Sequence, residues 1–405
     1  MRRNYFRKKR IFAVVFLAVV CAFSAVNVCH GRQALAAYLA EEEPDISGLT
    51  AVIEENLYGR MDFIETYGYV QRILGKRECN NFSYIRDEKG FLHYASFFRE
   101  EDTDLFACAL RVKRMQDYVK AAGTKVLFVV PPAKYDADET EFITGMPVND
   151  PGSIVDELIF YLNRLGVETL DLRRYMPNAA LPYEETFFRT DHHWTIPAAF
   201  YAAAVLVEQI GERFGQDLDP EGYYTDGSAY TSETYEGGML GSMGRKTGIG
   251  FADAENFTAL RPKFAGKYTR EYMTEDGKTV RRTGSFAEVL MDDRVLTERE
   301  DLYSDSQYSL YLNGLRVYEK IVNEENPNGC KMFLIRDSYF SPVMAFLMPM
   351  CGQIDAIWSL EEQEELDIER YVRENEFDYL IMEVYPYNIS EEAFSFFEEQ
   401  EGTGE

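Results

Sequence analysis

Histidine is scarce in this sequence. Only four of the 405 residues are histidines, and two of them stand side by side as His192 and His193. None of the six cysteines forms a CxxC pair, so the spacing of a zinc ribbon is missing. No HExxH motif, phosphate loop or dinucleotide-binding glycine pattern is present either. These absences argue against a metalloenzyme or a nucleotide-binding protein, and we expect neither a metal nor a cofactor.

Basic side chains are too few for a nucleic-acid partner. The formal net charge is −27. The first 37 residues hold seven of the 42 basic side chains and no acidic one, so the remainder balances 35 basic against 69 acidic side chains. Binding to nucleic acid depends on neutralising phosphates, which such a body would repel. An apolar fraction of 46% is ample for a large core, so the composition indicates a folded, acidic body.

The N-terminus has the pattern of a membrane-targeting segment. A basic cluster is followed by the uncharged run Ile11–Val28, which at about 1.5 Å per residue nearly crosses a hydrocarbon core of roughly 30 Å. One interpretation is a signal anchor that holds the chain in the cell membrane with a single pass. The other is a signal peptide cleaved near Ala34-Leu35-Ala36, which would give a secreted protein; the length of the run favours the anchor. The predicted organisation is a cytoplasmic basic tail (1–10), the signal segment (11–29), a stalk (30–56) and an extracytoplasmic domain (57–395).

Export would permit disulfides, because the compartments outside the cytoplasm are oxidising. Four cysteines lie outside the signal segment, and they allow three pairings among which the sequence does not choose. Buried free thiols are an equally good interpretation. The four residues are Cys79, Cys108, Cys330 and Cys351.

The pattern beyond the stalk predicts an α/β domain. Short apolar, β-branched runs alternate with stretches of helical period, which is typical of a central, mainly parallel sheet covered by helices on both faces. Residues from about 215 to 305 differ, because Gly, Tyr, Thr and Asp dominate them, and they predict a polar, partly β insertion. The predicted strands are 125–130, 167–170, 331–335, 354–358 and 379–384, and the predicted helices include 110–122, 154–165, 195–210 and 368–375.

Two segments carry the residues of a candidate catalytic site. Asp191, His192 and His193 precede a helix that Thr195 can cap. An imidazole beside a carboxylate can move a proton near neutral pH, but it needs a nucleophile. Ser338 follows a buried strand and precedes a helix, where free N–H groups can stabilise an oxyanion. Together the segments predict a Ser-His-Asp triad.

Two other interpretations of the first segment remain open. Three adjacent side chains diverge on a regular backbone, which disfavours a metal site built from Asp191, His192 and His193. In a purely structural interpretation, Asp191 caps a helix and the two histidines pack nearby.

The segment Asp191-His192-His193-Trp194-Thr195, the later Ile335-Arg336-Asp337-Ser338-Tyr339 and the stretch 129–134 resemble the DHHW family. That family is similar to the SGNH-hydrolase-like domains of the alginate O-acetyltransferases. In those relatives, the Asp and His of a D-x-H motif precede the serine. The resemblance implies an SGNH-hydrolase-like three-layer fold with Ser338 as nucleophile, His193 as base and Asp191 as its partner. Adjacency alone leaves His192 as the alternative base, and the D-x-H resemblance decides for His193.

The resemblance also implies an activity and candidate partners. The family has Gly-Asp-Ser where this chain has Arg336-Asp337-Ser338, and the candidates for its oxyanion or substrate groups are Gly241, Gly244 and Asn388. The implied reaction is acyl transfer onto, or removal of, O-acetyl groups on an exported or cell-surface polysaccharide, beside a membrane-bound O-acyltransferase as acyl donor. Transfer and hydrolysis remain open alternatives. A catalytically silent glycan-binding or assembly protein on the same fold is a further one.

Overall fold

The protein is built around one large sheet with helices on both faces. Its structure, a computed structural model, describes residues 2–40, 44–95, 103–148, 150–179, 181–274, 277–299, 301–358 and 368–395. The strands are β1 Glu78–Cys79, β2 Tyr84–Arg86, β3 Leu92–Tyr94, β4 Lys125–Val130, β5 Glu168–Asp171, β6 Tyr230–Met239, β7 Glu255–Pro262, β8 Tyr268–Met273, β9 Thr279–Gly284, β10 Tyr318–Asn323, β11 Cys330–Arg336, β12 Cys351–Trp358 and β13 Tyr379–Glu383. The helices are α1 Arg2–Tyr38, α2 Ile46–Glu55, α3 Arg60–Ile73, α4 Leu105–Val119, α5 Gly152–Arg164, α6 Tyr183–Thr186, α7 Ile196–Phe214, α8 Ser242–Thr247, α9 Ile249–Ala252, α10 Phe286–Leu290, α11 Arg294–Thr297, α12 Ser341–Leu347 and α13 Ile368–Glu374.

The central sheet is mixed but mostly parallel, as predicted. Its eight strands run in the order β5-β4-β13-β11-β12-β10-β8-β9. The first five are parallel to one another, and the last three are joined by antiparallel pairs. Ile335 of β11 pairs with Met382 of β13, so the segments that follow these two strands leave the sheet at the same edge. Sites of open α/β sheets are built at that carboxyl edge.

The predicted insertion between 215 and 305 is only partly separate from the central sheet. Strands β6 and β7 do form a small antiparallel sheet of their own. The hairpin β8–β9, which also lies between 215 and 305, instead pairs with β10 and extends the central sheet. A polar edge strand such as β9 has few apolar residues because much of it faces solvent, so its composition did not reveal its membership of the sheet.

Two apolar clusters cover the two faces of the sheet and complete a three-layer α/β fold. The strands contribute continuous buried runs, as expected where both faces are covered: five of the six residues of β4 and six of the seven of β11 are buried. Helices α4, α5 and α13 pack on one face, and α7 and α12 pack on the other. Alanines dominate the buried stripe of α7, which lets this helix approach the sheet closely.

The N-terminal 73 residues are largely helical. Helix α1 contains an apolar segment, Phe6–Tyr38, that is long enough to cross a membrane, and the part of the chain that the structure describes has one such helix. The described part of the stretch predicted as a stalk contains the end of α1 and helix α2, and residues 41–43 lie outside the described residues. Helix α3 follows this stretch.

Cys330 and Cys351 are register partners on the neighbouring strands β11 and β12. All six cysteines are free thiols. Cys79 and Cys108 lie in two different apolar clusters. Of the three possible disulfide pairings, the one that joins Cys330 to Cys351 therefore has these two cysteines already adjacent.

Candidate active site

The Asp191-His192-His193 segment forms an irregular bend immediately before α7. Thr195 caps that helix with its hydroxyl, and Pro197 lies in the first turn, as the sequence predicted. The expected divergence of the three side chains is wrong, because the backbone here is neither strand nor helix. Their donor atoms lie within 4.8 Å of one another. The imidazole rings of His192 and His193 are tilted by 36° to each other, with centroids 3.8 Å apart.

Ser338 lies in a tight turn at the carboxyl end of β11. Asp337 caps this turn: its carboxylate accepts hydrogen bonds from the backbone N–H groups of Tyr339 (2.9 Å) and Tyr385 (2.8 Å) and from the Asn388 side chain (2.9 Å). The Asp337 N–H in turn donates to Glu383 at the end of β13. The turn is therefore tied to the neighbouring parallel strand, which fixes where the serine hydroxyl points.

The bend and the turn bring Asp191, His193 and Ser338 into one hydrogen-bonded line. His193 Nδ1 lies 2.6 Å from Asp191 Oδ1, and His193 Nε2 lies 2.8 Å from Ser338 Oγ. Asp191 and His193 are buried, whereas Ser338 is partly exposed. His192 is directed elsewhere, since its Nδ1 faces Ser242 Oγ at 3.3 Å and Asp191 Oδ1 at 3.2 Å. Of the two histidines, His193 is thus the one that contacts the serine.

The electrostatics keep the carboxylate charged and the second imidazole neutral. Burial alone would raise the pKa of Asp191, but the adjacent imidazoles of His193 and His192 and the Ser242 N–H hold that pKa well below its usual value. Burial, together with the nearby charge of a protonated His193, lowers the pKa of His192 to about 3. Above this pH His192 is neutral, and so low a pKa makes it a poor proton acceptor for Ser338.

Comparisons with known proteins agree with this geometry at the level of the fold. Residues 90–249 match the family described as the SGNH hydrolase-like domain of the acetyltransferase AlgX. A DHHW family protein from Eubacterium siraeum shares 18% identity with a TM-score of 0.56, over 77% of this chain and 94% of that one. PatB1 of Bacillus cereus, solved with a sulfonyl adduct, shares 16% identity with a TM-score of 0.62, over 79% of this chain and 99% of that one. A comparison with curated proteins gave no match.

Residues 90–249 of this chain are thus similar to an SGNH hydrolase-like domain. The family match includes Asp191 and His193 and ends before Ser338. The structural likeness to PatB1 extends over 79% of the chain and concerns the fold.

A buried lysine holds the bend before α7 in place. Lys134 Nζ donates to the backbone carbonyls of Leu92 (2.6 Å), Arg189 (2.9 Å) and Asp191 (2.8 Å). Its burial lowers the pKa of Lys134 to about 8. Glu255 binds the same bend from the other side, through the N–H groups of Arg189 and Thr190 at 2.7 Å each. The positively charged Lys134 therefore satisfies carbonyls of the bend, and the negatively charged Glu255 satisfies its amides.

The two candidate glycines do not offer free N–H groups. The N–H of Gly241 donates to the Thr190 hydroxyl, and the N–H of Gly244 donates to the Thr190 carbonyl. Their occupied amides rule them out as oxyanion donors in this conformation. Gly241 serves the site through its size, because a Cβ there would lie 2.3 Å from the Cβ of Asp191. Asn388 uses one N–H on Asp337 and has a second one to offer.

Two tyrosines and a serine that sequence reasoning missed also shape the site. The Tyr308 ring stacks on His193 with centroids 3.8 Å apart, and its hydroxyl donates to the Tyr339 carbonyl. The Tyr339 hydroxyl donates to the His192 carbonyl, and the Ser242 N–H donates to Asp191 Oδ2 at 2.6 Å. Tyr308 and Ser242 lie far in sequence from Asp191, His193 and Ser338, so no local spacing could have indicated them. Tyr339 directly follows Ser338, but its contact with the His192 carbonyl is formed only in the tertiary structure.

Arg336, which stands where the family has glycine, is accommodated by a buried ion-pair network. Its guanidinium binds Glu319 of β10 and the Ser341 hydroxyl, and Arg270 of β8 binds the same Glu319. All three charged side chains are buried. A buried charge needs a partner, and the antiparallel extension of the sheet supplies it. Arg336 and Asp337 thus both hold the serine turn through their side-chain contacts.

Proposed function

We propose that the protein is an extracytoplasmic serine acyltransferase or esterase that acts on O-acetyl groups of an exported or cell-surface polysaccharide. The observation that carries the proposal is the hydrogen-bonded line from Asp191 through His193 to Ser338, at 2.6 and 2.8 Å. A serine hydroxyl needs an oriented base to become a nucleophile, and this arrangement has both parts. The family match to an acetyltransferase domain supports acetyl as the transferred group.

The first half of the reaction is acylation of Ser338. Ser338 Oγ attacks the acetyl carbonyl of the donor while His193 Nε2 takes the hydroxyl proton. Asp191 holds the Nδ1–H tautomer and stabilises the imidazolium that forms. The tetrahedral intermediate collapses, the bond to the leaving oxygen breaks, and His193 returns the proton to that oxygen. Ser338 is left as an acetyl ester.

The second half transfers the acetyl group to an acceptor. His193 removes a proton from a sugar hydroxyl or from water, and that oxygen attacks the acetyl ester. Collapse of the second intermediate releases Ser338 Oγ, which regains its proton from His193. Transfer and hydrolysis differ only in which acceptor oxygen reaches the ester.

The oxyanion of both intermediates requires hydrogen-bond donors beside Ser338. The Ser338 N–H is the first amide of the short turn that Asp337 caps, a position that has no partner within a helix. We assign it as one donor and the second side-chain N–H of Asn388 as the other. Both lie on the edge of the sheet where Ser338 leaves β11.

A neighbouring cleft is suited to a glycan acceptor. A cavity of about 610 Å³ is lined by Tyr135, Tyr183, Asp136, Asp150 and Pro386, among others. Pro386 directly follows Tyr385, whose N–H binds Asp337, so the cleft lies near the serine turn, although no triad residue lines it. Tyrosines offer apolar faces with polar tips, and the carboxylates accept sugar hydroxyls. The acidic lining favours neutral or amino sugars over polyanionic ones.

Helix α1 supports a location at the membrane. We propose that it is retained as a single-pass anchor and that the body lies outside the cell. A single apolar helix cannot conduct an acyl group, so a membrane-bound O-acyltransferase is the proposed source of acetyl groups.

Turnover with defined acceptors tests the function. The full chain is incubated with an activated acetyl ester, alone and with neutral, amino-sugar and uronate oligosaccharides, and acetylated glycans are measured by mass spectrometry. We expect wild-type protein to give Ser338-dependent product, with Ser338→Ala inactive. Glycan binding without acyl consumption in the wild type would instead establish the silent binding protein.

A further inference from the structure

Helix α3 exposes an apolar face that the described part of the chain leaves largely uncovered. This face consists of the exposed side chains of Phe63, Tyr67, Val70 and Ile73 of α3 and of Leu74 directly after the helix. They recur at the spacing of one helical face. Leu74 and Ile73 are 66% and 65% exposed, which is unusual for such side chains in a contiguous set. This set is called the α3 face below.

The α3 face begins beside the apolar run of α1. The Phe63 ring meets the Phe23 ring edge-on with centroids 5.7 Å apart. Just before α3, the Tyr58 N–H donates to Asn27 Oδ1 at 2.7 Å, and the Tyr58 ring contacts His30. Phe23 lies five residues inside the outer end of the run at residue 28, or about 7.5 Å along a helix. Phe63 is therefore at the level of the outer part of a spanning α1.

The opposite side of α3 is fixed to the body, so the α3 face cannot turn inward. Glu65 accepts the backbone N–H groups of Ile249 (2.9 Å) and Gly250 (3.0 Å) at the start of α9. Gly68 packs so closely on this region that a Cβ would lie 2.0 Å from the Thr247 carbonyl oxygen. Helix α8, which precedes these residues, begins at Ser242, whose N–H binds Asp191.

We infer that the α3 face lies in the outer interface of the lipid bilayer, beside α1. This rests on α1 being retained as an anchor, as in the proposed function. The face suits this environment, because aromatic and aliphatic side chains are typical of helices that lie in the plane of the interface. Through α8 and α9, such a contact holds the serine site at a fixed height and orientation above the membrane, where a membrane-bound acyl donor would meet it.

Fluorescence from single labelled positions tests the contact. In a Cys21→Ser/Cys29→Ser background, the remaining cysteines are buried, so a new surface cysteine can be labelled selectively. Val70→Cys is labelled with an environment-sensitive dye, and the full chain is reconstituted in vesicles of phosphatidylcholine and phosphatidylglycerol. The matched control is Phe160→Cys on α5, since Phe160 is a similarly exposed apolar residue at 53% against 44% for Val70.

We expect blue-shifted emission at position 70 and quenching by spin-labelled lipids, with aqueous emission and no quenching at position 160. A repeat with Ile73→Cys guards against a local effect of one substitution. Aqueous emission at both 70 and 73 would overturn the inference, and so would cross-linking of position 70 to a second copy in place of lipid quenching. Acyl-transfer activity of the labelled protein is measured in parallel, so that failure of the membrane contact and failure of the proposed function are separate results.

Discussion

Replacing Asp191 by asparagine should leave the fold intact and place the wrong tautomer on His193. Asp191 accepts the Ser242 N–H on Oδ2 and the His193 ring on Oδ1, both at 2.6 Å. A backbone N–H donates to each carboxylate oxygen, from Ser242 to Oδ2 at 2.6 Å and from His193 to Oδ1 at 3.2 Å, so we expect the single oxygen of an asparagine to keep the shorter bond from Ser242. Its NH₂ group then faces His193 Nδ1, which becomes an acceptor. The ring proton moves to Nε2, and an Nε2–H cannot take the proton of Ser338.

The expected loss follows from this reversal. In triads of the same geometry, the corresponding change costs about 10⁴-fold in turnover, or roughly 5 kcal/mol of transition-state stabilisation. The cost in folding should be much smaller, since asparagine has the same shape and keeps the bond to Ser242. We therefore expect the rate of Ser338 acylation to fall by about three to four orders of magnitude, with a melting temperature close to that of the wild type.

Single-turnover acylation by an activated acetyl ester is the assay, and the molecule offers a matched control. Asp87 is also fully buried, and its carboxylate lies 3.1 Å from His93 Nε2, in a pair with no serine. Asp87→Asn should leave the acylation rate per folded molecule unchanged. An Asp191→Asn rate within about tenfold of the wild type would refute the assigned role of Asp191, because a tautomer reversal of this kind costs far more.

Two further predictions concern buried titratable groups. Lys134→Met removes three hydrogen bonds to carbonyls, worth about 2 kcal/mol each from a charged donor. It also relieves the burial cost that lowers the pKa of Lys134 to about 8, which is on the order of 3 kcal/mol. We expect the free energy of unfolding in urea to fall by roughly 2–3 kcal/mol. Acylation should also be slower, because the Asp191 carbonyl loses its hydrogen-bond donor. Unchanged stability and rate would contradict the role of Lys134 in holding the bend. Burial lowers the pKa of His93 to about 4, so the unfolded chain protonates first as the pH falls, and stability is lost between about pH 6.5 and 4. Between pH 7 and 4.5, His93→Gln should lose roughly 2 kcal/mol less than the wild type, and parallel pH profiles would be the opposite result.

The elements of the central sheet were predictable because buried parallel strands leave a strong pattern. The apolar runs that became β4, β11 and β13 are short, β-branched and bounded by turn residues. Strand β10 alternates buried and partly exposed residues, but the charged Glu319 occupies one of its buried positions. The alternation of apolar and polar residues that marks a half-buried strand is interrupted there. The sequence pattern of β10 was therefore not recognised as a strand. A buried ion pair is decided by a distant partner, and no local pattern contains that information.

Only those residues of the site that belong to sequence motifs were predictable. Asp191, His193 and Ser338 came from the D-x-H and Asp-Ser patterns together with a family resemblance. Local reasoning gave the wrong direction for the side chains of the bend, because Lys134 and Glu255 impose an irregular backbone from elsewhere in the chain. The oxyanion assignments of Gly241 and Gly244 failed for a related reason. Their N–H groups are occupied by Thr190, a contact that only the tertiary structure reveals.

Direct detection of the acyl-enzyme is the measurement that tests the account most directly. The full chain is mixed with an activated acetyl ester, quenched in acid, and examined by intact mass and peptide mapping. The account predicts one acetyl group, on Ser338, that is absent from Ser338→Ala and strongly reduced in His193→Ala. Wild-type protein without acetyl on Ser338, or Ser338→Ala acylated to the same extent, would contradict it.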